Sequence, residues 1–345
     1  MKNRAFNYLI TITIIAITTY IITSSSEMGI IPTLLKITNL YYLCGAVVCM
    51  MLYWLSDAFI IKAIFELAKI RQSFFSFLKL TMIGQYYNLI TPFSSGGQPA
   101  QVLTMTNDYK IPLGVATSIT VNKFMVYHVV ITTFPLLMLI LKPYFIFGQN
   151  VLSKTLIFTG LGINILGILA IFTICYNSKI VEKIVLAILK ILNKFKLAKK
   201  IQPAAVISHI KEYKTSLNTF LTNKKTLLLV SVYTLIQITV YFSVTYFIYL
   251  SLGLSQASLL DILAVQSLLY MAVNIVPTPG NAGASEGFFF LIFGIIFPSK
   301  ILLYAIILWR LVIYYFNLAA TGAFVFSDYV YKHLKINSQQ GNPAK

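Results

Sequence analysis

Two stretches of related sequence interrupt the apolar runs of this chain: residues 88–99 read NLITPFSSGGQP, and residues 274–286 read NIVPTPGNAGASE. Each contains an Asn, then a Thr-Pro pair, then a Gly four residues after that proline, among small polar residues. Proline removes a backbone donor and interrupts a helix, and glycine lets the chain turn where a side chain would clash. Unwound backbone survives at membrane depth only inside protein or beside a wet cavity. The two stretches therefore predict a pair of broken-helix hairpins around a polar site.

The composition excludes a soluble domain, because 58% of the residues are hydrophobic and only 10% are charged, whereas soluble domains carry about 25% charged residues. The net charge is +18, but the basic residues lie between apolar runs instead of forming one basic domain. That distribution sets membrane topology and attracts anionic lipid, and it argues against nucleic-acid binding. The cysteines and histidines show no metal-ligand spacing, so we expect no metal and no cofactor.

Hydropathy predicts an all-α, polytopic integral membrane protein with eight apolar segments. Since a span needs about 20 apolar residues, six segments are predicted to cross fully: residues 5–23, 40–61, 115–141, 152–175, 226–250 and 301–326. The other two, 74–91 and 259–276 (continued by 287–297), carry the quoted motifs. We predict that both turn back as re-entrant hairpins.

Charge counting supports this topology, because the loop at residues 176–225 holds 11 lysines. Re-entrant hairpins and a cytoplasmic N-terminus keep this loop inside, whereas a full crossing at 74–91 would put it outside. The C-terminus is then also cytoplasmic. The first hairpin enters from the cytoplasm and the second from outside, as in the inverted repeats of secondary transporters.

The domain organisation follows from the same topology. Residues 1–326 form one transmembrane domain, which includes the basic loop, and residues 327–345 form a short polar cytoplasmic tail. Within the loop, apolar residues recur at helical spacing over 181–196, with lysines on the other side. This pattern predicts a basic amphipathic helix, which either lies on an anionic leaflet or packs on neighbouring spans.

Intramembrane charges and the two motifs supply the candidate site residues. A charge exposed to lipid costs about 2.5–3.5 kcal/mol or more, so such residues are expected to face inward and pair, here Glu286 with Arg310. Asp57 and Asp261 lie near predicted span ends, where solvation would explain them. The candidates for the lipid-headgroup and translocation path are Asn88, Thr91, Pro92, Ser94, Ser95, Gly96, Gly97 and Gln98, then Asn274, Thr278, Pro279, Gly280, Asn281, Gly283, Ser285 and Glu286, with Lys123 and Arg310.

The exposed backbone N–H groups of the interrupted helices, with their Ser, Asn and Gln side chains, are suited to an anionic headgroup such as a phosphate. Two less specific interpretations stay open. In the first, the prolines only kink the helices so that they pack together. In the second, the charges form a structural ion pair that holds the helices in register.

Three stretches resemble a known family: residues 91–102 (TPFSSGGQPAQV), residues 277–286 (PTPGNAGASE), and Trp309-Arg310 followed by Tyr314-Tyr315 and Gly322. They are similar to the transmembrane region of lysylphosphatidylglycerol synthases, also called the flippase-like or multiple-peptide-resistance family. The resemblance covers about residues 6–326. It implies movement of aminoacylated phosphatidylglycerol between leaflets. In full-length members a C-terminal soluble domain transfers lysine from lysyl-tRNA to the lipid, which lowers negative surface charge and gives resistance to cationic antimicrobial peptides.

This chain departs from the family pattern in two places. After Phe326 only residues 327–345 follow, too few for a catalytic domain, and Asn122-Lys123 stands where many members have an acidic residue followed by Arg. We therefore expect a lipid translocase, or its accessory, in a bacterial plasma membrane, with an anionic or aminoacylated phospholipid as its partner. The alternatives are a phosphatidylglycerol lysyltransferase, which would need lysyl-tRNA, and a non-transporting scaffold for a separate synthase. The sequence is also compatible with a homo-oligomer.

Overall fold

The computed structural model describes residues 36, 38–176, 203–273, 276, 278–281 and 283–340. This part of the chain is helical and contains no β-strand. Its helices are α1 Leu40–Leu67, α2 Phe74–Ile90, α3 Gly97–Asn107, α4 Leu113–Leu141, α5 Tyr144–Phe147, α6 Val151–Tyr176, α7 Pro203–Thr222, α8 Lys224–Ser251, α9 Leu259–Val273, α10 Ala284–Phe293, α11 Ser299–Arg310 and α12 Asn317–Gln340. Short 3₁₀ turns occupy Pro92–Ser94 and Pro279–Asn281, and a π-helical turn at Leu311–Phe316 joins α11 to α12.

Five helices in the described ranges are long and apolar enough to cross a membrane: α1, α4, α6, α8 and the continuous Ser299–Lys332 segment. This confirms the all-α, polytopic class. The span predicted at residues 5–23 lies outside the described residues. The last helix does not end at Phe326, as hydropathy suggested, but continues to Gln340.

The chain repeats one order of elements: an Asn-capped helix, a broken hairpin and a helix that begins after proline. In both α1 and α8, which have 28 residues each, the preceding Asn accepts a hydrogen bond from the first turn, at Asn39 and Asn223, which satisfies an otherwise free N–H group. Helices α4 and α11 begin directly after Pro112 and Pro298, both in an extended conformation. We call residues 39–142 the first repeat and residues 223–340 the second repeat.

Hairpin 1 (residues 74–107) begins and ends beside the C-terminus of α1, which we call the Leu67 end of the bundle. The Phe77 ring lies 5.1 Å from that of Phe65 near the end of α1. The Tyr109 hydroxyl donates to the Ser76 carbonyl at 3.2 Å, so the chain leaves the hairpin where it entered.

Hairpin 2 (residues 259–293) begins and ends at the opposite, Leu40 end of the bundle. The Asn39 amide donates to the Ser251 carbonyl at 2.8 Å, which places the C-terminus of α8 beside the start of α1. Tyr249 of α8 then contacts both sides of the hairpin base, since its hydroxyl accepts from the Ala257 amide at 3.0 Å and its ring lies 5.4 Å from Phe297. The two hairpins therefore enter from opposite ends, the relative orientation that the sequence predicted.

The turns of the two hairpins share a backbone conformation and contact each other. Phe93 has φ 54° and ψ 16°, and Gly280 has φ 58° and ψ 19°. The residues that follow, Ser94 and Asn281, also have positive φ, at 49° and 52°. A Cβ atom on Gly280 would overlap the Tyr314 ring, so only glycine fits there.

Ion pairs join the two repeats at both ends of the bundle. At the Leu40 end, Lys142 at the end of α4 pairs with Asp261 of hairpin 2 at 2.9 Å. At the Leu67 end, Lys79 of hairpin 1 pairs with Asp328 of α12 at 2.6 Å. Lys142 and Asp328 lie the same number of residues after the prolines that precede α4 and α11. The two pairs thus occupy related positions with the charges exchanged.

Asp108 extends the cluster at the Leu67 end, where it pairs with Lys332 at 2.7 Å and Lys79 at 3.1 Å. Burial acts to raise the pKa of the Asp108 carboxyl, but hydrogen bonds from the two ammonium groups outweigh it, and the pKa lies below its ordinary value. The carboxylate is therefore charged at neutral pH and holds the base of hairpin 1 to α12.

Helix α7 is the described part of the basic loop, and it packs on the bundle. Tyr213, Leu217 and Phe220 are buried in the same apolar cluster as side chains of α1 and α4, and α7 packs against α4. The amphipathic helix predicted at 181–196 lies outside the described residues.

Candidate functional site

A cavity of about 420 Å³ lies where the turns of the two hairpins meet. Its walls come from both hairpins and from α1, α4, α6, α8 and α11. The predicted site residues that line it are Asn88, Ser94, Gly97, Gln98, Lys123, Gly280, Asn281, Ser285 and Arg310. We call it the central cavity.

Arg310 and Glu286 form the ion pair that the sequence predicted. The Arg310 Nε donates to the Glu286 Oε1 at 2.6 Å, and the Arg310 Nη1 donates to the Gly280 carbonyl at 3.1 Å. The guanidinium also lies over the Tyr314 ring, 4.8 Å from its centroid. The Arg310 side chain is only 6% exposed. Arg310 therefore fixes both the turn of hairpin 2 and the start of α10.

The second carboxylate oxygen of Glu286 also accepts hydrogen bonds. Its Oε2 accepts from the Gly283 amide at 2.7 Å and from the Ser285 hydroxyl at 3.1 Å. A carboxylate at the N-terminus of a helix, here α10, satisfies free amides and is favoured by the helix dipole. The pair thus neutralises both charges within hairpin 2 and α11.

The partner of Lys123 is Asp57, and the expectation that solvation explains Asp57 was wrong. Helix α1 continues to Leu67, so Asp57 lies well inside it and is 3% exposed. Its Oδ2 accepts from the Lys123 ammonium at 2.8 Å and the Thr81 hydroxyl at 2.9 Å, and its Oδ1 accepts from Gln237 at 3.0 Å. These bonds join α1, α2, α4 and α8 beside the central cavity. Asp261 differs, since it lies in the first turn of α9 and pairs with Lys142.

Most N–H groups in the two hairpin turns donate to acceptors within the protein. The expectation that these groups are free was therefore wrong for the six amides described below. In hairpin 1 the Gly96 amide donates to the Thr91 hydroxyl at 2.8 Å and the Gly97 amide to the Asn88 side chain at 2.9 Å. The amides of Ser94, Ser95, Asn281 and Gly283 also have protein acceptors. Polar side chains, with few free amides, therefore face the cavity.

The other predicted residues shape the turns. Thr91 donates to the Tyr87 carbonyl at 2.6 Å, and the Ser95 hydroxyl donates to the Pro92 carbonyl at 2.9 Å. Thr91, Pro92, Ser95, Gly96, Thr278, Pro279, Gly283 and Glu286 are not among the lining residues of the central cavity. Asn274 lies outside the described residues.

Two buried polar atoms in the cavity wall have no hydrogen-bond partner among the described residues: the Trp309 Nε1 and the His128 Nδ1. Trp309 is 4% exposed, and its N–H group can only donate. Buried donors in proteins are nearly always satisfied, so an orphaned one indicates a ligand or water acceptor.

Sequence reasoning missed much of the polar wall. Asp57 and Gln237 lie inside apolar spans, and four tyrosines line the cavity in addition to Tyr314: Tyr53, Tyr127, Tyr241 and Tyr270. The Tyr127 and Tyr270 hydroxyls lie 2.8 Å apart, and Tyr53 accepts from Gln85 at 3.0 Å. An isolated Asp or Gln within a predicted span was the available signal, because such residues rarely face lipid.

Comparison with known proteins shows which family the chain belongs to. A family profile described as the lysylphosphatidylglycerol synthase TM region matches residues 8–321. The chain belongs to this family. A UPF0104 membrane protein from Archaeoglobus fulgidus is 25% identical over 304 residues, which are 87% of this chain and 90% of the relative. The region that matches the lysylphosphatidylglycerol synthase TM family thus includes both hairpins and all residues that line the central cavity.

Proposed function

We propose that the chain is a membrane lipid translocase, or an accessory to one, that holds a phosphatidylglycerol-type or aminoacylated headgroup in the central cavity. One observation carries the proposal: hairpins from opposite ends of an apolar bundle meet around a cavity whose lining includes Asp57, Lys123 and Arg310, charged members of two ion pairs. Ionisable groups are expensive inside a membrane and commonly mark substrate pathways. Hairpins of this kind mark the substrate site of many transporters.

The lining suits a phospholipid headgroup. Its volume of about 420 Å³ falls within the usual range of about 300–1,000 Å³ for small-ligand sites. The Lys123 and Arg310 cations, the Asn88 and Gln98 amides and the Trp309 N–H group supply donors for phosphate oxygens. The two carboxylates balance the two cations, so an anionic phosphate would meet donors without an excess of fixed positive charge.

Transport in this proposal proceeds by movement of the two repeats against each other. The ion pairs Lys142–Asp261 and Lys79–Asp328 join the repeats at opposite ends of the bundle. Release of one pair while the other holds would open the central cavity to one leaflet at a time, as in alternating access between repeats.

We place the Leu67 end in the cytoplasm, because the basic loop that holds 11 lysines leads into α8 there. The proposed topology then has six spans, two re-entrant hairpins and both termini in the cytoplasm of a plasma membrane. Outward movement of an aminoacylated lipid would lower the negative charge of the surface and favour resistance to cationic antimicrobial peptides.

The test is expression in a host that lacks lysylphosphatidylglycerol, first of this chain alone and then with a soluble synthase domain. Total and outer-leaflet lysylphosphatidylglycerol are measured. We expect more outer-leaflet lipid, at the same total amount, in cells with both proteins than in cells with the synthase domain alone. Lipid made by the chain alone would identify a lysyltransferase instead, and an unchanged leaflet ratio would leave a scaffold for the synthase.

The two tryptophans provide a matched pair of variants for the same assay. Trp309→Phe removes the orphaned donor, and we expect outer-leaflet lipid to appear about tenfold more slowly, because hydrogen bonds to charged groups contribute about 1.5–3 kcal/mol. Trp54→Phe removes the same ring volume, but its Nε1 donates to Asn317 at 3.1 Å. It should lower thermal stability more than Trp309→Phe and leave the translocation rate nearly unchanged. Equal rates for Trp309→Phe and the wild type would contradict a headgroup contact at this atom.

A further inference from the structure

A second cavity, of about 460 Å³, lies between α7 and the helices α1 and α4. Its apolar wall includes Ile64, Leu67 and Val115, and its polar wall includes Lys69, Lys211 and the hydroxyl residues of α7. The linings of this cavity and of the central cavity share no residue. We call it the α7 groove.

The side chains of two lysines, Lys69 and Lys211, line this groove. Within the described ranges, neither Lys69 nor Lys211 has a carboxylate at salt-bridge distance. Glu212 also lines the groove, but its carboxylate lies 3.2 Å from the His209 ring. The charged residues of the lining, two lysines and one glutamate, thus carry a net charge of +1, which favours an anion.

The chain turns at Lys69 in a backbone conformation that is uncommon for residues other than glycine. Lys69 has φ 57°, just beyond the end of α1, where its amide donates to the Glu66 carbonyl and the next amide donates to the Phe65 carbonyl. Glycine is the usual residue at this position of a helix end, because a Cβ atom is strained at positive φ. The turn at the end of α1 places Lys69 in the lining of the groove.

An orphaned acceptor forms part of the groove. Asn122 is 1% exposed, and its amide nitrogen donates to the Ser118 hydroxyl at 3.3 Å. Its Oδ1 has no hydrogen-bond partner among the described residues. Hydroxyl groups of Ser208, Thr215 and Ser216 also line the groove. A ligand with both a phosphate and a hydroxyl donor would satisfy the cations and this oxygen.

We propose that the α7 groove binds the headgroup of an anionic, hydroxyl-bearing phospholipid such as phosphatidylglycerol, at a site separate from the central cavity. The phosphate contacts Lys69 and Lys211, and a headgroup hydroxyl donates to Asn122. Basic pockets between membrane helices are a common form of lipid site. Apolar residues beside the cations give the acyl chains a surface to cover, which favours a lipid over a free phosphate.

The chain offers a matched control, because Lys110 has the same backbone strain and charge. Its φ is 55°, it is exposed, and it does not line the groove. Lys69→Gly and Lys110→Gly each remove one cation and relieve one strained residue. Neither is expected to unfold the protein. Lys211→Ala, at an exposed position of α7, is a second variant that removes a proposed phosphate contact.

The experiment uses the full chain in phosphatidylcholine nanodiscs that contain phosphatidylglycerol with a photoactivatable headgroup, and crosslinked peptides are mapped by mass spectrometry. We expect crosslinks within α7, reduced about tenfold by Lys69→Gly and by Lys211→Ala. Lys110→Gly and Trp309→Phe should leave them unchanged. The last variant separates this site from the central cavity, so either proposal can fail alone.

Three results would overturn the proposal. Crosslinks absent from α7 would remove the site. Equal losses for Lys69→Gly and Lys110→Gly would show a general effect of charge. Loss of the crosslinks upon addition of soluble glycerol phosphate would show that a free anion, and not a lipid, occupies the groove.

Discussion

Alanine at position 310 is expected to destabilise the protein by about 3–5 kcal/mol, since removal of one partner from a buried ion pair leaves the other charge uncompensated. Arg310→Ala strands Glu286, which keeps only its bonds to the Gly283 amide and the Ser285 hydroxyl. It also removes the bond to the Gly280 carbonyl that holds the turn of hairpin 2. The thermal unfolding midpoint in detergent, followed by size-exclusion chromatography, measures the effect.

Arg71→Ala is the matched control, because Arg71 is exposed and its replacement should change the midpoint little. Arg310→Lys keeps the charge but loses the planar geometry that reaches both a carboxylate and a carbonyl. Its unfolding midpoint should therefore lie between those of Arg310→Ala and the wild type. A midpoint for Arg310→Ala equal to that of Arg71→Ala would show that the pair does not hold hairpin 2.

Asp57→Ala is expected to destabilise the protein by a similar amount, about 3–5 kcal/mol. It leaves the Lys123 ammonium without its counterion and removes the acceptors for Thr81 and Gln237. The control is Asp261→Ala, whose partner Lys142 is 36% exposed. The Asp261 carboxylate is 18% exposed and also accepts from Ser258. Because this pair is less buried than that of Asp57, the control should lower the unfolding midpoint less than Asp57→Ala does.

The double variant Asp57→Ala/Lys123→Met separates structure from transport. Removal of both charges should restore much of the stability, because an apolar pair avoids the desolvation cost of the ions. If Lys123 contacts the headgroup, translocation stays low in this stable variant. Wild-type translocation in the double variant would limit Lys123 to a structural role.

The sequence predicted the parts of this fold that depend on local chemistry. Helix α1 begins at Leu40, the start of the predicted span, because Asn39 caps it. The prolines at 92 and 279 interrupt the helices as expected. The pairing of Glu286 with Arg310 also followed from sequence, since few other charges are available to compensate either residue inside an apolar bundle.

The remaining errors have a common physical cause, which is that hydropathy does not report helix rotation or exact length. The first described span was predicted to end at residue 61, near Lys62, but the helix continues to Leu67 and places Asp57 in its interior. Whether Tyr53, Tyr127 or Trp309 faces lipid or the cavity depends on how each helix is rotated. The π-helical turn after Arg310 has no pattern in the sequence that predicts it.

The central claim is that the two hairpin turns meet at a cavity that water and lipid headgroups reach. Single cysteines at Ser94 and Asn281, in a background without Cys44, Cys49 and Cys175, test it with a membrane-impermeant thiol reagent in native membranes. We predict that both cysteines react and that short-chain phosphatidylglycerol slows both reactions. Two cysteines that stay unreactive in the membrane, yet react fully after denaturation, would contradict the account.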